Sequence, residues 1–550
     1  MNGKRLLLLA ALAALGGASP ALATTPCEVV NARTHATYTE VQPGVNEAKP
    51  GDLLKVKGDC EGATITKNLT LLGVNTGSAK ASLTGAGGTV VRVAEGATVA
   101  ITGLVITGGG LGVDLEYATL TLTSSEVSGN SADGIYDAGG MLTIANTVIR
   151  EDHPGIASYF AWVTVNGSKI TNNGESGVFA EYSNVSLNYS EVGFNKGTGI
   201  YGEFNDSLSL ANSTVQRNTA SGAGGGIHLA QSSLALTSSS VNDNDASGGE
   251  GGGIYLYSVS AALIGSSVHE NEASGAGGGI YGLYSSLTLK SSSVTDNGGT
   301  GEGGGIYSQH GSTALTASTV ANNADISATG TGGGIYSFAG PTTLTNSTVK
   351  NNAAPSGGGI YVNNGPLTMT YATVKDNVAS SSGAAGGGIY ISATSGTFTN
   401  STIKENEGGT GGGGVYVLAG SLSLVHTALT ENRGLQGGGI WIQESSLSLT
   451  GSSLTANRAE NGGGIYVQGN SASLKEGSSL KINVASNDGG GMYIEKGAVA
   501  LNNSSVLNNK SEGGPGSGGG IFKAGGTLKL TGSPVSANTP ENCQPAVICT

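Results

Sequence analysis

The chain has 550 residues, carries 96 glycines and has a formal net charge of −13. Charged residues make up only 11% of it, and the acidic balance argues against nucleic acid and anionic membrane surfaces as partners. Disorder is also disfavoured, because 37% of the residues are hydrophobic and these recur at regular spacing. Regular spacing of this kind indicates internal repeats.

The first predicted element is a secretory signal at residues 1–23. Two basic residues precede the apolar run 6–15, and the small residues at 21–23 are typical of a cleavage site. The apolar run is too short to cross a bilayer. We therefore expect an exported mature chain without a transmembrane segment, at the outer cell surface or outside the cell.

Four cysteines lie near the two ends of the chain, and none lies between them. An even number of cysteines in an exported chain favours disulfides. We expect Cys27 to pair with Cys60 and Cys543 with Cys549, because each pair closes a local loop. A metal site is the alternative, but the chain has no Cys-x-x-Cys, and we expect no metal or other cofactor.

Residues 112–538 consist of 17 repeat units. In each unit a glycine stands directly before Ile, Val or Met, and successive glycines lie 21 to 29 residues apart. An asparagine follows this glycine after 18 residues in 14 units and after 19 in two, and Asp152 takes its place in the remaining unit. The distance from this asparagine, or from Asp152, to the next glycine varies from 3 to 11 residues, as in a surface loop that tolerates insertion.

The constant part of each unit predicts three short strands. In residues 439–457 the patterns Ile-Trp-Ile, Ser-Leu-Ser-Leu and Ser-Leu-Thr follow one another. Three strands per unit without helices predict an all-β right-handed parallel β-helix of about 17 or more coils. We expect residues 24–111 to form an N-terminal cap with the first coils, and residues 539–550 to form a C-terminal cap. The loops are short up to about residue 217 and long and rich in Gly and Ser after it.

Stacking of the coils turns each recurring residue into a column. The residue after the glycine is expected to point into the core, and the asparagines are expected to form a hydrogen-bonded ladder. The residue two positions after the glycine is aromatic in 14 of the 17 units. It is expected to point outward, either in a structural stack or as an exposed stripe that contacts a ligand or partner.

The repeat also resembles known families. "GGGIY" followed by Val-x-x-Asn, as in residues 241–244 and 268–271, resembles the repeats of polymorphic outer-membrane proteins. Residues 49–73 are similar to the opening coils of secreted pectate-lyase-like proteins, and the ending "NTPENC" is similar to that of many bacterial β-helix repeat proteins. Polymorphic outer-membrane proteins end in a membrane barrel, which we do not expect here because only residues 539–550 follow the last repeat.

The resemblance implies a fold that also carries polysaccharide lyases and hydrolases. Polygalacturonases of this fold have Asp-Asp, Gly-His-Gly and Arg-Ile-Lys motifs, and the chain has none of them. Carboxylates are too sparse for the calcium cluster of a lyase. The absence of these motifs favours a protein without enzymatic activity.

One region combines acidic and aromatic residues. From Gly112 to Gly199 the loops are shortest, so one strand face is expected to be open. Four of these five units carry a candidate pair at positions four and five after the glycine: Glu116-Tyr117, Tyr159-Phe160, Glu181-Tyr182 and Glu203-Phe204. Trp162 lies nearby. The pairs are consistent with a solvated turn, with a glycan-binding groove, or with catalysis by Glu181 and Glu203 at about 5 Å, the carboxyl spacing of a retaining glycosidase.

We therefore expect an exported, non-enzymatic β-helix rod in cell-surface adhesion, with a polysaccharide or a cell-surface protein as its partner. A polysaccharide-active lyase or glycoside hydrolase that uses the open N-terminal face is the first alternative, and a structural spacer is the second. Because an uncovered last coil would expose free strand edges, the segments around both predicted disulfides are expected to cover the two ends.

Overall fold

The computed structural model of the protein describes residues 25–204, 207–381, 383 and 385–549. The predicted signal at residues 1–23 lies outside them. The described chain is a parallel β-solenoid of about 19 turns, with 53% strand and 2% helix, which confirms the predicted fold class. No helix in this part of the chain is long and apolar enough to span a membrane.

Each coil contributes one strand to each of three parallel sheets. In the coil that begins at Gly177 these strands are Val178–Glu181 in sheet 1, Asn184–Asn188 in sheet 2 and Glu191–Gly193 in sheet 3. Each strand pairs in register with the equivalent strand of the next coil. Residues about one repeat apart in the sequence are therefore neighbours, at the strand spacing of about 4.8 Å.

The three sheets run almost the whole length of the described chain. Their first and last strands are Ala63–Ile65 and Cys543–Gln544 in sheet 1, Leu53–Lys57 and Thr527–Thr531 in sheet 2, and Asp59–Glu61 and Val535–Ser536 in sheet 3. The long loops add two-residue strands that the sequence analysis did not predict. These extend from Thr219–Ala220 to Val378–Ala379 and from Arg458–Ala459 to Lys510–Ser511.

The core is formed by the inward residues of all three sheets. Strand side chains alternate between the two faces, and the residue after each repeat glycine, such as Ile200 or Ile440, is fully buried. Its outward neighbour carries the aromatic ring. The predicted inward and outward columns of sheet 1 are confirmed.

Each coil turns at three corners, and in most coils the corner residue has left-handed backbone geometry; an exception is the first corner of the coil from Gly464, where the single strand Ile465–Lys475 runs through. In the coil from Gly177 these residues are Tyr182, Tyr189 and Phe194, with φ of 52°, 50° and 60°. The residue after each corner points inward, where its polar group must find a partner. Columns of these inward residues form hydrogen-bonded ladders along the rod.

The asparagine ladder is confirmed. Asn432 Nδ2 donates to Asn457 Oδ1 at 2.9 Å and to the Ile403 carbonyl at 3.0 Å. Its Oδ1 accepts from the backbone N–H and the Nδ2 of Asn406, at 3.1 and 2.9 Å. The column extends from Asn130 to Asn538, so it links the corners between sheets 3 and 1 over most of the rod.

A second ladder follows the corner between sheets 2 and 3. The Ser190 backbone N–H donates to Ser213 Oγ at 3.1 Å, and Ser190 Oγ donates to its own coil at the Asn188 carbonyl, at 2.9 Å. The pattern recurs along the rod with serine or threonine at this position and Ala372 as an exception. This ladder was not predicted from the sequence.

Two features explain the glycine triplets: the backbone geometry at these positions and the close approach of neighbouring coils. In the triplet 462–464, Gly462 has φ of +62°, which favours glycine. A Cβ on Gly464 would lie 2.5 Å from the Gly491 carbonyl oxygen of the next coil. Side chains at these positions would therefore push neighbouring coils apart.

The outward aromatic residues of sheet 1 form a continuous stack. It contains 16 rings from Tyr136 to Phe522, with neighbouring centroids 4.6 to 5.9 Å apart. Ala157 interrupts the column in sequence, and the Tyr159 ring fills the gap between Tyr136 and Phe179. The rings of this column are partly or fully buried, which favours the structural stack over an exposed stripe.

The N-terminal end of the rod is covered. Helix Val41–Glu47 packs its buried valines onto the first coil, and strand Glu28–Asn31 pairs antiparallel with Leu53–Lys57. Cys27 and Cys60 form a disulfide beside it, with their Cα atoms 4.8 Å apart.

The C-terminal end is covered only in part. Cys543–Gln544 pairs with sheet 1, and Cys543 forms a disulfide with Cys549, with Cα atoms 6.0 Å apart. Among the described residues no strand pairs with the outer edge of Thr527–Thr531, whose inward leucines are partly buried. The prediction that the segment around Cys543 and Cys549 covers this end of the rod is therefore wrong for sheet 2. Lys529 is exposed in the middle of this edge, where a charge opposes edge-to-edge association.

Candidate functional site

The predicted site residues lie where sheet 1 turns into sheet 2. The structure brings three of them into a stack at this corner: the Phe160 and Tyr182 centroids are 4.8 Å apart, and those of Tyr182 and Phe204 are 5.1 Å apart. This short stack is separate from the 16-ring stack of sheet 1. We call it the corner stack.

The corner stack is exposed and has the left-handed backbone that is common to the corners of the rod. Phe160 is 64% exposed and Tyr182 is 45% exposed. The φ values are 55°, 52° and 63° for Phe160, Tyr182 and Phe204. Corner residues have this left-handed geometry along the whole rod, including Tyr189 and Tyr371, so it belongs to the fold and does not mark this site.

The orientation of these rings changes what the corner stack can bind. The planes of Phe160 and Tyr182 are within 3° of parallel, and those of Tyr182 and Phe204 are within 12°. The inner ring faces therefore cover one another, and the edges of the rings face the solvent. A sugar ring that stacks on an aromatic face must find that face elsewhere or at an end of the stack.

Trp162 supplies such a face. It is the first residue of the sheet 2 strand Trp162–Asn166, two positions after Phe160, and is 59% exposed. Its indole is in no ring pair within the described chain. Trp162 lies near the candidate residues in the sequence but was not predicted to be one of them. An aromatic residue at the start of a solvent-facing strand was the signal that would have identified it.

Polar groups flank the indole on the side of the following coils. Trp162 pairs in register with Met141 on one side and Asn184 on the other. A shallow groove of 110 Å³ extends from Trp162 across the next two coils and is lined by Thr164, Asn184, Ser186, Ser207 and Ser209, among others. An apolar ring face beside amide and hydroxyl groups is a suitable surface for a sugar, whose rings have apolar faces and hydroxyl rims.

Three other predicted residues contact neighbouring coils of the rod. Tyr159 belongs to the 16-ring stack, and burial raises the pKa of its phenol. Glu116 accepts a hydrogen bond from Arg92 at 2.6 Å. Tyr117 is exposed, but its ring lies against Gly139 of the following coil, a position where a side chain would collide with it. That coil carries no aromatic residue at the corner, so Tyr117 is not part of the corner stack.

Glu181 and Glu203 are paired in register on neighbouring sheet 1 strands and point outward. The Tyr201 hydroxyl donates a hydrogen bond to Glu203. Both carboxylates increase the pKa of the Tyr201 phenol, although burial of the ring is the largest cause of that shift. The two carboxylates therefore lie one coil apart beside the corner stack.

The neighbourhood of the corner stack is acidic. Its carboxylates are those of Glu181 and Glu203, on neighbouring sheet 1 strands. Arg92, three coils before Phe160, is occupied by Glu116 and Asp114. This charge balance disfavours anionic ligands and favours neutral or cationic ones.

The described residues contain no group of three or more His, Cys, Asp or Glu side chains placed to hold a metal ion. The four cysteines are in disulfides. The chemistry that the site offers is therefore that of its aromatic, amide, hydroxyl and carboxylate groups.

The chain belongs to the family described as the right handed beta helix region, which matches residues 89–241, 226–387 and 387–544. The family defines the fold, and a fold of this kind hosts several functions. No curated protein matches the sequence.

Two solved structures are similar to the chain at low identity. A mutant of the PL6 family alginate lyase AlyGC is 11% identical over 91% of this chain and 98% of its own, with a TM-score of 0.26. The Azotobacter vinelandii mannuronan C-5 epimerase AlgE6 A-module is 9% identical over 86% and 92%, with a TM-score of 0.15. At these TM-scores neither similarity carries an argument about activity.

Proposed function

We propose that this protein is a non-enzymatic glycan-binding rod, with Trp162 as the main contact and the corner stack as its flank. The observation that carries this proposal is the solvent-exposed indole, free of other rings, beside the amide of Asn184 and the hydroxyls of Ser207 and Ser209. Aromatic anchors of this kind dominate binding energies when they are buried by a ligand.

The charge of the site indicates the ligand. Glu181 and Glu203 would repel a uronate or sulfate group, whereas carboxylates accept hydrogen bonds from hydroxyls and pair with ammonium groups. The proposed ligand is therefore a neutral or amino-substituted polysaccharide.

The length of the rod supports a role in adhesion. About 19 turns at about 4.8 Å per turn give a length of roughly 90 Å. Together with the predicted export signal, this length would place the binding surface away from whatever holds the rod. Surface display would be tested by protease treatment of intact cells.

Replacing Trp162 with alanine is expected to weaken binding of a neutral glucan and of chitosan oligomers by about tenfold or more, because truncating an aromatic anchor typically costs 2 kcal/mol or more. Isothermal titration calorimetry measures the effect. The matched control is Tyr371→Ala, which removes an equally exposed ring at another corner and should leave affinity unchanged. Equal affinities of both variants and the wild type would exclude Trp162 as the contact.

Enzymatic hydrolysis is the second candidate, favoured by the register pair Glu181 and Glu203. Their strand spacing of about 5 Å is near the carboxyl separation of a retaining glycosidase. A reducing-sugar assay on the same glycans separates the two functions: binding without new reducing ends supports the rod, whereas turnover that Glu181→Gln and Glu203→Gln abolish supports the enzyme. The absence of both binding and turnover would favour a structural spacer.

A further inference from the structure

Two buried carboxylic acids lie on one coil of the rod. Among the described residues only Asp137 and Asp152 are carboxylic acids without solvent exposure, and both belong to the coil that begins at Gly134. Asp137 points inward from the sheet 1 strand Ile135–Ala138, and Asp152 takes the place of an asparagine at the corner between sheets 3 and 1. Aspartate is almost never fully buried unless it is paired, so this coil differs from the others.

Each of the two carboxyls has one oxygen without a hydrogen-bond partner. Asp137 Oδ1 accepts from the Gly140 N–H at 3.0 Å, and Asp152 Oδ1 accepts from Asn130. In the described chain, Oδ2 of both residues has no partner. Because an unpaired buried oxygen costs far more free energy when it is charged, this geometry favours the protonated forms.

Within the described chain no opposite charge compensates Asp137. Its register partners on the two adjacent coils are Leu115 and Ser158. Across the core of its own coil lie Leu142 of sheet 2 and Ile149 of sheet 3, both buried. Burial therefore raises the pKa of Asp137 to about 7, and the hydrogen bond at Oδ1 opposes the shift only in part.

The charges around Asp152 come from its own segment of the chain. Burial is the largest cause that raises the pKa of Asp152 to about 7; the Glu151 carboxylate adds to the shift and the Arg150 guanidinium opposes it. Arg150 is itself in ion pairs with Glu126 and Glu151. The adjacent His153 is exposed, and both neighbours in the asparagine ladder are uncharged.

The coil from Gly134 supports the coil that carries Trp162. The Gly139 N–H donates to the Tyr159 carbonyl at 2.8 Å, and the Trp162 N–H donates to the Gly140 carbonyl at 3.0 Å. In a repeat rod each coil contacts only its neighbours, and structures of this kind can open in one region while the rest stays folded. Opening of this coil would therefore remove contacts that hold the coil of Trp162.

We propose that the strand Ile135–Ala138 is a pH-sensitive element that opens locally when Asp137 and Asp152 are both ionised, and that this opening weakens binding at Trp162. The opening depends only on the two buried carboxyls, whereas its effect on binding rests on the proposed glycan site. Both carboxyls hold their protons more tightly in the folded coil than in the open one. The coil is therefore most stable below about pH 4, loses stability as the pH rises to about 7, and changes little above it.

The test is hydrogen exchange of the full-length protein, followed by mass spectrometry at about pH 4 and about pH 8 with the intrinsic exchange rates corrected for pH. Peptides from residues 113–166 should lose about a hundredfold or more in protection at the higher pH, because each carboxyl alone can change the opening equilibrium by about a thousandfold. Peptides from residues 254–494 should change little.

The double variant Asp137→Asn, Asp152→Asn should not lose protection at the higher pH. Asp296→Asn is the control, because it removes an exposed corner carboxyl at a position where the next coil carries Asn322. It should lose protection as the wild type does. Unchanged protection of the wild type, an equal loss along the whole rod, or a loss that persists in the double variant would overturn the local opening.

Calorimetric titration with the neutral glucan tests the effect on binding. Between about pH 4 and about pH 8 the affinity of the wild type should fall several-fold more than that of the double variant, because an open coil lowers the fraction of binding-competent protein. Equal changes in both proteins would overturn the regulation. A wild type that binds no glycan at either pH would instead contradict the proposed function, and hydrogen exchange would still decide whether the coil opens.

Discussion

Replacing Asn432 with alanine is expected to lower the free energy of unfolding by about 3 to 5 kcal/mol. The side chain is fully buried and forms two donor and two acceptor contacts with its own and adjacent coils. Alanine would leave the Ile403 carbonyl and the Asn406 amide without these partners. Unsatisfied buried polar groups are among the few causes of losses this large.

Urea denaturation followed by far-UV circular dichroism measures the loss. The control is Asn502→Ala, which truncates an outward-facing asparagine at the end of a sheet 2 strand. It should change stability by no more than a few tenths of a kcal/mol. Equal midpoints for both variants would show that the ladder does not contribute to the stability of the coils.

Replacing Asp152 with asparagine is expected to stabilise the protein by about 4 kcal/mol at a pH of about 8. Asn130 donates two hydrogen bonds to Asp152 Oδ1, at 2.9 and 3.0 Å, but Asp152 Oδ2 has no partner in the described chain. In an asparagine at this position, the corresponding Nδ2 would donate to Asn173, as Asn173 itself does to Asn195 at 2.9 Å. Only a protonated Asp152 can make this contact.

The effect depends on pH with a definite sign. Burial raises the pKa of Asp152 from 3.8 to about 7, although the bonds from Asn130 oppose the shift. The folded state therefore holds this proton more tightly than the unfolded state, so the contribution of Asp152 to stability falls as the pH rises from about 4 to about 7. The wild type and Asp152→Asn should be equally stable at about pH 4 and should diverge above it. A stability difference that does not change with pH would contradict this account.

The fold could be predicted from the sequence because one spacing is repeated many times. An asparagine 18 residues after a glycine in unit after unit leaves room for three short strands, and vertical stacking then follows from the register. The serine ladder had the same kind of signal, since Ser or Thr recurs 13 residues after most of these glycines. It was missed because serine is common throughout the chain.

The candidate site was less predictable because it depends on side-chain packing. Sequence spacing placed Tyr159 at the corner, but the gap at Ala157 draws its ring into the 16-ring stack. Spacing also could not show that Phe160 and Tyr182 would cover each other's faces and leave Trp162 as the open ring.

The two buried carboxyls had a readable signal that was used only in part. The counting that aligned the asparagines placed Asp152 in their column. Asp137 was not predicted to be unusual, although the third position after the repeat glycine is uncharged in every other unit except the last. Counting could not show that both carboxyls are fully buried, or that Oδ2 of each lacks a partner in the described chain.

The proposed binding site and the pH-sensitive element both depend on contacts between coils, so the register of the coils is the central claim. It is tested most directly by a distance between spin labels on Ser209 and Ser448, two outward sheet 2 positions linked by nine register steps. At about 4.8 Å per step, pulsed electron paramagnetic resonance should give a narrow distribution centred near 43 Å. A broad distribution, or a centre displaced by several coil spacings, would contradict the account.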